Sequence, residues 1–100
     1  MLIDDYVLDV LMRDLTQHDK RPSAFLVYLY LWRHTAGIDQ KTVPASYQEI
    51  AEGTGLSKSA AQNAVVLLKR RRLISVKLIS RTAKPIYRVE RPWRRTSRQS

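Results

Sequence analysis

The sequence contains no cysteine, which excludes a disulfide framework and cysteine-ligated zinc. It also lacks a long hydrophobic run, because the longest one, residues 24–32, has nine residues, whereas a helix needs about 20 to cross a bilayer. The first residues, Met-Leu-Ile-Asp-Asp, are acidic where a signal peptide would be basic. From these absences we expect a cytoplasmic protein that does not bind membranes.

Motifs that support catalysis are also missing. His18 and His34 are far apart in the sequence, and no H-E-x-x-H, P-loop or G-x-S-x-G pattern occurs. Asp4, Asp5 and Asp9 lie close together, but acidic residues are favoured at a helix N-terminus, and no base or metal-ligand cluster accompanies them. The sequence therefore predicts a protein that is not an enzyme, with no metal, no cofactor and no recognisable effector pocket.

Positive charge is concentrated in one part of the chain. The net charge is +9 over 100 residues. Residues 1–40 carry four basic and six acidic side chains, a net charge of −2. Residues 41–100 carry fourteen basic and three acidic side chains, a net charge of +11. This asymmetry favours a nucleic acid as the partner of the C-terminal part, although a basic surface can also serve solubility.

The N-terminal part has the pattern of two helices. The first is predicted from Asp4 to Thr16, with apolar residues at helical spacing: Val7, Leu8, Leu11 and Leu15. Ser23 is expected to cap the second helix, which should run to about Ala36. Because the second helix is apolar all round, it must be covered on more than one side, either by the first helix alone or by a second subunit.

The C-terminal part predicts two short helices and a hairpin. Ser46 and Glu49 form a capping box at the start of the first of these helices. Gly55 lies in a tight turn, and Ser57 caps a helix over residues 58–71. Two alternating segments within residues 74–90 predict a β-hairpin, with its apolar positions facing the core: Val76, Leu78, Tyr87 and Val89.

This order of elements resembles a winged helix-turn-helix, and residues 23–90 carry the resemblance. The packing and turn positions of that motif are matched by Ile50, Ala51, Gly55, Leu56, Ala61, Ala64 and Leu68. The stretch Gly-Leu-Ser-Lys-Ser at residues 55–59 is similar to MarR-like and GntR-like regulators, and plasmid and phage replication initiators have a similar arrangement. The resemblance implies an α+β fold that is mainly α with a small hairpin wing: a three-helix core plus an N-terminal helix.

The helix at residues 58–71 has the composition of a recognition helix. We expect its exposed face to contact DNA bases through Ser59, Gln62 and Asn63, since amide side chains offer a donor and an acceptor side by side. Plain solvent exposure is the alternative for these residues. Contacts to the DNA backbone are expected from Ser57, Lys58, Lys69, Arg70, Arg81 and Lys84.

Some basic residues are left without an assignment. Arg71 and Arg72 are given no role. Winged helix-turn-helix proteins usually have a glycine in a left-handed conformation at the position of Arg72, and this conformation would cost arginine roughly 1 kcal/mol. Arg94, Arg95 and Arg98, in a flexible basic tail over residues 91–100, are expected to add non-specific phosphate contacts. Trp93 in this tail is expected to pack back on the domain.

The function expected from these features is sequence-specific binding of double-stranded DNA. The leading hypothesis is a transcriptional regulator, a homodimer on a palindromic site, with the helix at residues 58–71 in the major groove and the wing, residues 74–90, on the backbone or in the minor groove. Residues 1–22 would form an N-terminal helix and linker, which is also the candidate dimerisation element. A plasmid or phage replication or partition module is one alternative, and a winged helix that binds protein or RNA is another.

Overall fold

The computed structural model describes residues 2–94 and has the architecture of a winged helix. Two π-helical segments, Val7–Leu11 and Asp14–His18, form the N-terminal helix. Three α-helices follow, α1 (Pro22–Arg33), α2 (Tyr47–Thr54) and α3 (Lys58–Arg70), with a short 3-10 turn after α1 at Ala36–Ile38. The strands are β1 (Val43–Pro44), β2 (Ile74–Lys77) and β3 (Ile86–Val89). This arrangement confirms the predicted α+β fold.

The N-terminal helix lies on the core with every fourth side chain. Val7, Leu11 and Leu15 are buried. Leu8, the fourth apolar residue of the predicted helix, is 47% exposed. The helix has the wide turn of a π-helix, since the amide of Asp19 donates to the carbonyl oxygen of Asp14 at 2.9 Å. The chain then reverses at Lys20, which has a φ of 55°.

The limits of α1 differ from the sequence-based expectation at both ends. Pro22 occupies the first turn of α1 and Arg21 is its N-cap, so the prediction that Ser23 caps this helix was wrong. Proline suits this position because its missing N–H would have no helical partner there. The α-helix ends at Arg33 rather than near Ala36, and the short 3-10 turn begins only at Ala36, after two turn residues.

Helix α1 is the centre of the hydrophobic core. It contacts α2, α3, β3 and the second π-helical segment. Its buried side chains are Ala24, Phe25, Val27, Tyr28, Leu31 and Trp32. Elements of the same chain therefore cover α1 on several sides, while Leu26 stays 43% exposed.

The start of α2 and the turn that follows it have the predicted local geometry. The hydroxyl oxygen of Ser46 accepts from the amide of Glu49 at 3.1 Å, and the amide of Ser46 donates to Glu49 Oε1 at 3.0 Å, which completes the capping box. Gly55 closes the helix with a φ of 80°. Gly53 is required for a different reason, because a Cβ at this position would lie 2.2 Å from the ring of Tyr30.

The three strands form one antiparallel sheet in the order β1, β3, β2. Tyr87 in the central strand is fully buried and pairs with Val43 on one side and Val76 on the other. Leu78 was expected to face the core, but it is 68% exposed, because β2 ends one residue earlier at Lys77. The chain therefore leaves the sheet before the apolar alternation is complete.

Two buried tyrosines of this core differ in the environment of their hydroxyl groups. The hydroxyl of Tyr28 donates to the carbonyl oxygen of Glu90 at 3.0 Å and connects α1 to the end of β3. The hydroxyl of Tyr87 has no hydrogen-bond partner within residues 2–94, and burial raises the pKa of Tyr87 to about 12.

We therefore expect opposite outcomes from the same chemical change. Tyr28→Phe should lower the free energy of unfolding by about 1 kcal/mol, because it leaves the Glu90 carbonyl without its donor. Tyr87→Phe should leave stability unchanged or raise it, because it removes a buried hydroxyl that forms no hydrogen bond in the fold. Urea unfolding of both variants measures the difference, and equal losses would contradict this account.

Candidate nucleic-acid interface

Helix α3 has one face that anchors it to the domain. Its buried side chains follow the spacing i, i+3, i+4, i+7, namely Ala61, Ala64, Val65 and Leu68. Both α1 and α2 contact this helix. The two alanines are small enough for these helices to approach closely, so the orientation of α3 is fixed by its packing.

The opposite face of α3 is exposed along its whole length. Gln62 and Asn63 lie at its centre, and both are exposed. The same stripe continues at helical spacing through Ser59, Val66 and Arg70, and Lys58 and Lys69 flank it; all of these side chains are exposed. The structure therefore places the predicted base-contacting residues side by side, with cations toward both ends of the helix.

The N-terminal end of α3 is closed by a side-chain cap. The hydroxyl oxygen of Ser57 accepts from the amide of Ala60 at 3.1 Å. The hydroxyl oxygens of Ser57 and Ser59 are 3.4 Å apart. Ser57 thus uses one acceptor site inside the helix, and its hydroxyl group remains exposed beside the first turn.

The C-terminal end of α3 keeps the left-handed conformation that usually favours glycine. Arg72 has a φ of 58°. The amide of Leu73 donates to the carbonyl oxygen of Leu68, and the amide of Arg72 donates to that of Lys69, both at 3.0 Å. This pair of hydrogen bonds defines a Schellman motif, and the buried side chains of Leu68 and Leu73 complete it.

Arg71 connects the end of α3 to the N-terminal helix. Its guanidinium group forms an ion pair with Asp19, and it lies 4.0 Å from a carboxylate oxygen of Asp14. Burial acts to raise the pKa of Asp19, but the hydrogen bond from His18 and the charge of Arg71 together hold this pKa below its usual value. Of the four consecutive basic residues 69–72, Arg71 is thus the one bound by carboxylates within residues 2–94.

The two cations predicted at the wing have different surroundings. Arg81 lies in the loop between β2 and β3 and is exposed. Lys84 donates to Glu49 Oε2 at 2.9 Å, so it joins the wing to the capping box of α2. The backbone hydrogen bond from Ser46, followed by the hydrogen bond from Lys84, lowers the pKa of Glu49. Lys84 is about half exposed, so part of its ammonium group still faces solvent.

The end of the described chain packs back on the N-terminal residues, as expected for Trp93. The ring of Trp93 stacks on Tyr6 with centroids 4.5 Å apart, and its Nε1 donates to Asp4 at 3.1 Å. Arg94 Nε donates to the same carboxylate at 2.8 Å. Arg94 is therefore engaged within the fold, and the phosphate contacts expected of Arg95 and Arg98 lie outside the described residues.

The segment that forms α3 and the wing carries only basic charges. Residues 54–89 contain nine basic side chains and no acidic one. Three of the nine, Arg71, Lys84 and Arg88, form salt bridges with acidic residues from outside this segment. Within the part of the chain that the structure describes, the other six form no salt bridge: Lys58, Lys69, Arg70, Arg72, Lys77 and Arg81.

Two other kinds of site find no support in residues 2–94. No group of three or more histidine, aspartate or glutamate side chains in this range is arranged to hold a metal ion. No helix in this range combines the length and the apolar character that crossing a bilayer requires.

A helix-turn-helix motif followed by a small wing defines the class of this fold. A family model described as "helix-turn-helix domain" matches residues 18–74, more than half of the chain, and the chain belongs to this family. Neither the search of curated proteins nor the search of solved structures finds a match. Membership of the family supports DNA as the partner, and the absence of acidic residues between positions 54 and 89 agrees with it.

The left-handed turn after α3 leads to a stability prediction. Arg72→Gly should raise the free energy of unfolding by about 1 kcal/mol, because glycine adopts a positive φ without the steric cost of a Cβ. The matched control is Arg70→Gly, the same change in a right-handed helical residue of α3, which should lower stability. Thermal unfolding measures both, and a loss of stability in Arg72→Gly would refute the role assigned to the turn.

The ion pair between Arg71 and Asp19 predicts how stability depends on pH. Asp19→Asn should lower stability by about 1 kcal/mol at pH 7, where the carboxylate is charged. Because the folded-state pKa of Asp19 is lowered, its contribution is complete above the usual value of 3.8 and is lost as the pH falls through the folded-state pKa. Urea unfolding between pH 7 and roughly pH 3 should show the gap between wild type and variant narrowing.

Asp9→Asn is the control for this measurement, since Asp9 is an exposed aspartate on the same helix. It should change stability by less than about 0.5 kcal/mol throughout. A gap between wild type and Asp19→Asn that persisted unchanged at low pH would show that the charge of Asp19 is not what stabilises the contact.

Proposed function

We propose that this protein is a sequence-specific double-stranded DNA-binding protein and acts as a transcriptional regulator. The observation that carries the proposal is the exposed face of α3, with Gln62 and Asn63 at its centre and cations toward its ends. An α-helix fits the major groove, where each base pair presents a distinct pattern of donors and acceptors. Ser59, Gln62 and Asn63 would contact base edges there.

The backbone contacts would come from groups around this face. Lys58 and Ser57 lie at the start of α3, and Lys69 and Arg70 lie in its last turn. Phosphate contacts fix the position of a protein on the duplex and carry little sequence information of their own. Arg81 and the exposed part of Lys84 would contact the backbone or the minor groove beside the recognition helix.

A homodimer on a palindromic site is part of this proposal. The N-terminal helix offers a surface for a second copy, since Leu8 and Met12 lie four residues apart and are 47% and 43% exposed. A dimer should protect two half-sites about one helical turn apart. Binding of a monomer to repeated sequences would instead favour a replication or partition module, and a preference for RNA over duplex DNA would overturn the proposal.

Base contact is tested with variants of α3. Sequences selected from a random duplex pool at two salt concentrations provide the preferred site. Gln62→Ala and Asn63→Ala should each weaken binding to that site by about 1–3 kcal/mol and broaden the base preference, with little effect on unrelated duplexes. The matched control is Gln17→Ala, on the N-terminal helix, which should leave the selected sequence and the affinity unchanged.

Substitution of basic residues should change affinity and salt dependence rather than base preference in the same assay. Lys69→Gln and Arg70→Gln should weaken binding on all duplexes alike, and each should reduce the slope of log affinity against log salt by about 1. Arg13→Gln, a change of an exposed arginine on the N-terminal helix, is the control.

If Gln62→Ala and Asn63→Ala left the selected sequence intact, base contact by these residues would be disproved.

A further inference from the structure

The loop between β2 and β3 begins with two adjacent apolar side chains that are largely exposed. Leu78 is 68% exposed and Ile79 is 67% exposed, more than any other large apolar side chain in residues 2–94 except Leu2. Single apolar residues on a surface are ordinary. Two neighbours on a projecting loop form a small apolar surface that the rest of the described chain leaves in contact with water.

Contacts within the loop and on its returning arm hold the loop in place. The hydroxyl oxygen of Ser80 accepts from the amide of Ala83 at 3.1 Å, which closes a local turn directly after Ile79. On the returning arm, Lys84 is bound to Glu49 at 2.9 Å, and Ile86 pairs with Pro44 at the sheet edge. The apolar pair therefore lies on an anchored loop and would lose little conformational freedom on binding.

The charge around the pair indicates the kind of partner. Residues 74–89 contain four basic side chains and no acidic one: Lys77, Arg81, Lys84 and Arg88. Lys84 and Arg88 are paired with glutamates, but two copies of the chain that met through this loop would bring together Lys77 and Arg81, which form no salt bridge within residues 2–94. A duplex offers phosphates to the cations and apolar base faces to Leu78 and Ile79, so it satisfies both features of the loop.

We infer that Leu78 and Ile79 insert into the minor groove beside the recognition-helix contact and bend the duplex. This inference rests on the proposed function, since it assigns a further contact to the same DNA complex. Apolar side chains that wedge between two base pairs from the minor groove partly unstack them and kink the helix axis. TA and CA/TG steps unstack most easily, and the preferred site should contain one under the wing.

The test compares DNA bending by the full chain and by the double variant Leu78→Ser/Ile79→Ser. Energy transfer between dyes at the ends of a duplex of roughly 30 base pairs that carries the selected site reports the bend. Wild type should bring the ends closer together. The double variant should bind about tenfold or more weakly, show little bending and lose the preference for a flexible step. Its loss of affinity should be nearly the same at both salt concentrations, because no charge is removed.

The matched control is Leu26→Ser/Ile38→Ser, which removes the same two residue types at positions 43% and 45% exposed, outside the wing. It should keep the affinity and the bend of wild type. Thermal unfolding of both double variants verifies that each is folded. Wild-type bending by Leu78→Ser/Ile79→Ser would overturn the inference and leave the proposed function standing.

Two further outcomes are distinguishable from that one. If wild type binds no duplex, the proposed function fails and the inference fails with it. If Leu78→Ser/Ile79→Ser converts a dimer to a monomer in sedimentation while a bound duplex remains equally bent, the apolar pair joins two copies of the chain, and the inference is wrong.

Discussion

The packing of α3 on α1 and α2 through small side chains is the constraint on which the rest of the structure depends. Ala61 and Ala64 are almost fully buried, so no larger residue fits there without moving the helices apart. Because these positions fix the rotation of α3 about its own axis, they also determine which side chains point outward. The exposure of Gln62 and Asn63 is therefore a consequence of core packing rather than of local composition alone.

The four consecutive basic residues 69–72, at and just after the end of α3, show how adjacent residues of one type acquire different roles. Arg71 is drawn toward Asp19 and the N-terminal helix, whereas Lys69 and Arg70 remain exposed on the last turn. Arg72 occupies the left-handed position that redirects the chain into β2. The mutual repulsion expected of four consecutive cations is reduced in this way, because the chain reverses at Arg72 and a carboxylate neutralises Arg71.

Features encoded within a few residues were predictable from the sequence. The capping box of Ser46 and Glu49, the turn at Gly55 and the apolar stripe of α3 all depend on spacing within one element, and the structure contains each of them. The end of β2 was missed, because alternation alone continues through Leu78 and gives no signal that the strand stops at Lys77. Ser23 was misassigned because proline and serine both mark a helix start, and here the proline takes the first position.

Contacts between distant segments could not be predicted in this way. Arg71 and Asp19 are 52 residues apart, and Lys84 and Glu49 are 35 residues apart. No local pattern tells a cation that faces a carboxylate from one that faces solvent, since both have the same composition around them. For the candidate interface, the sequence therefore predicted which face of α3 is exposed, whereas the pairing of individual cations required the three-dimensional arrangement.

The hydrogen bonds of Trp93 and Arg94 to Asp4 have a consequence for how the domain can be joined to other chains. They bring Asp4 and Arg94, which lie near the two limits of the described residues, to one place on the surface, reinforced by the stacking of Tyr6 on Trp93. A unit whose ends meet can be inserted into a loop of a carrier protein through short spacers, without either partner being stretched. The same closeness means that spacers joined directly before Asp4 and after Arg94 would start side by side, so the lengths of both spacers matter equally.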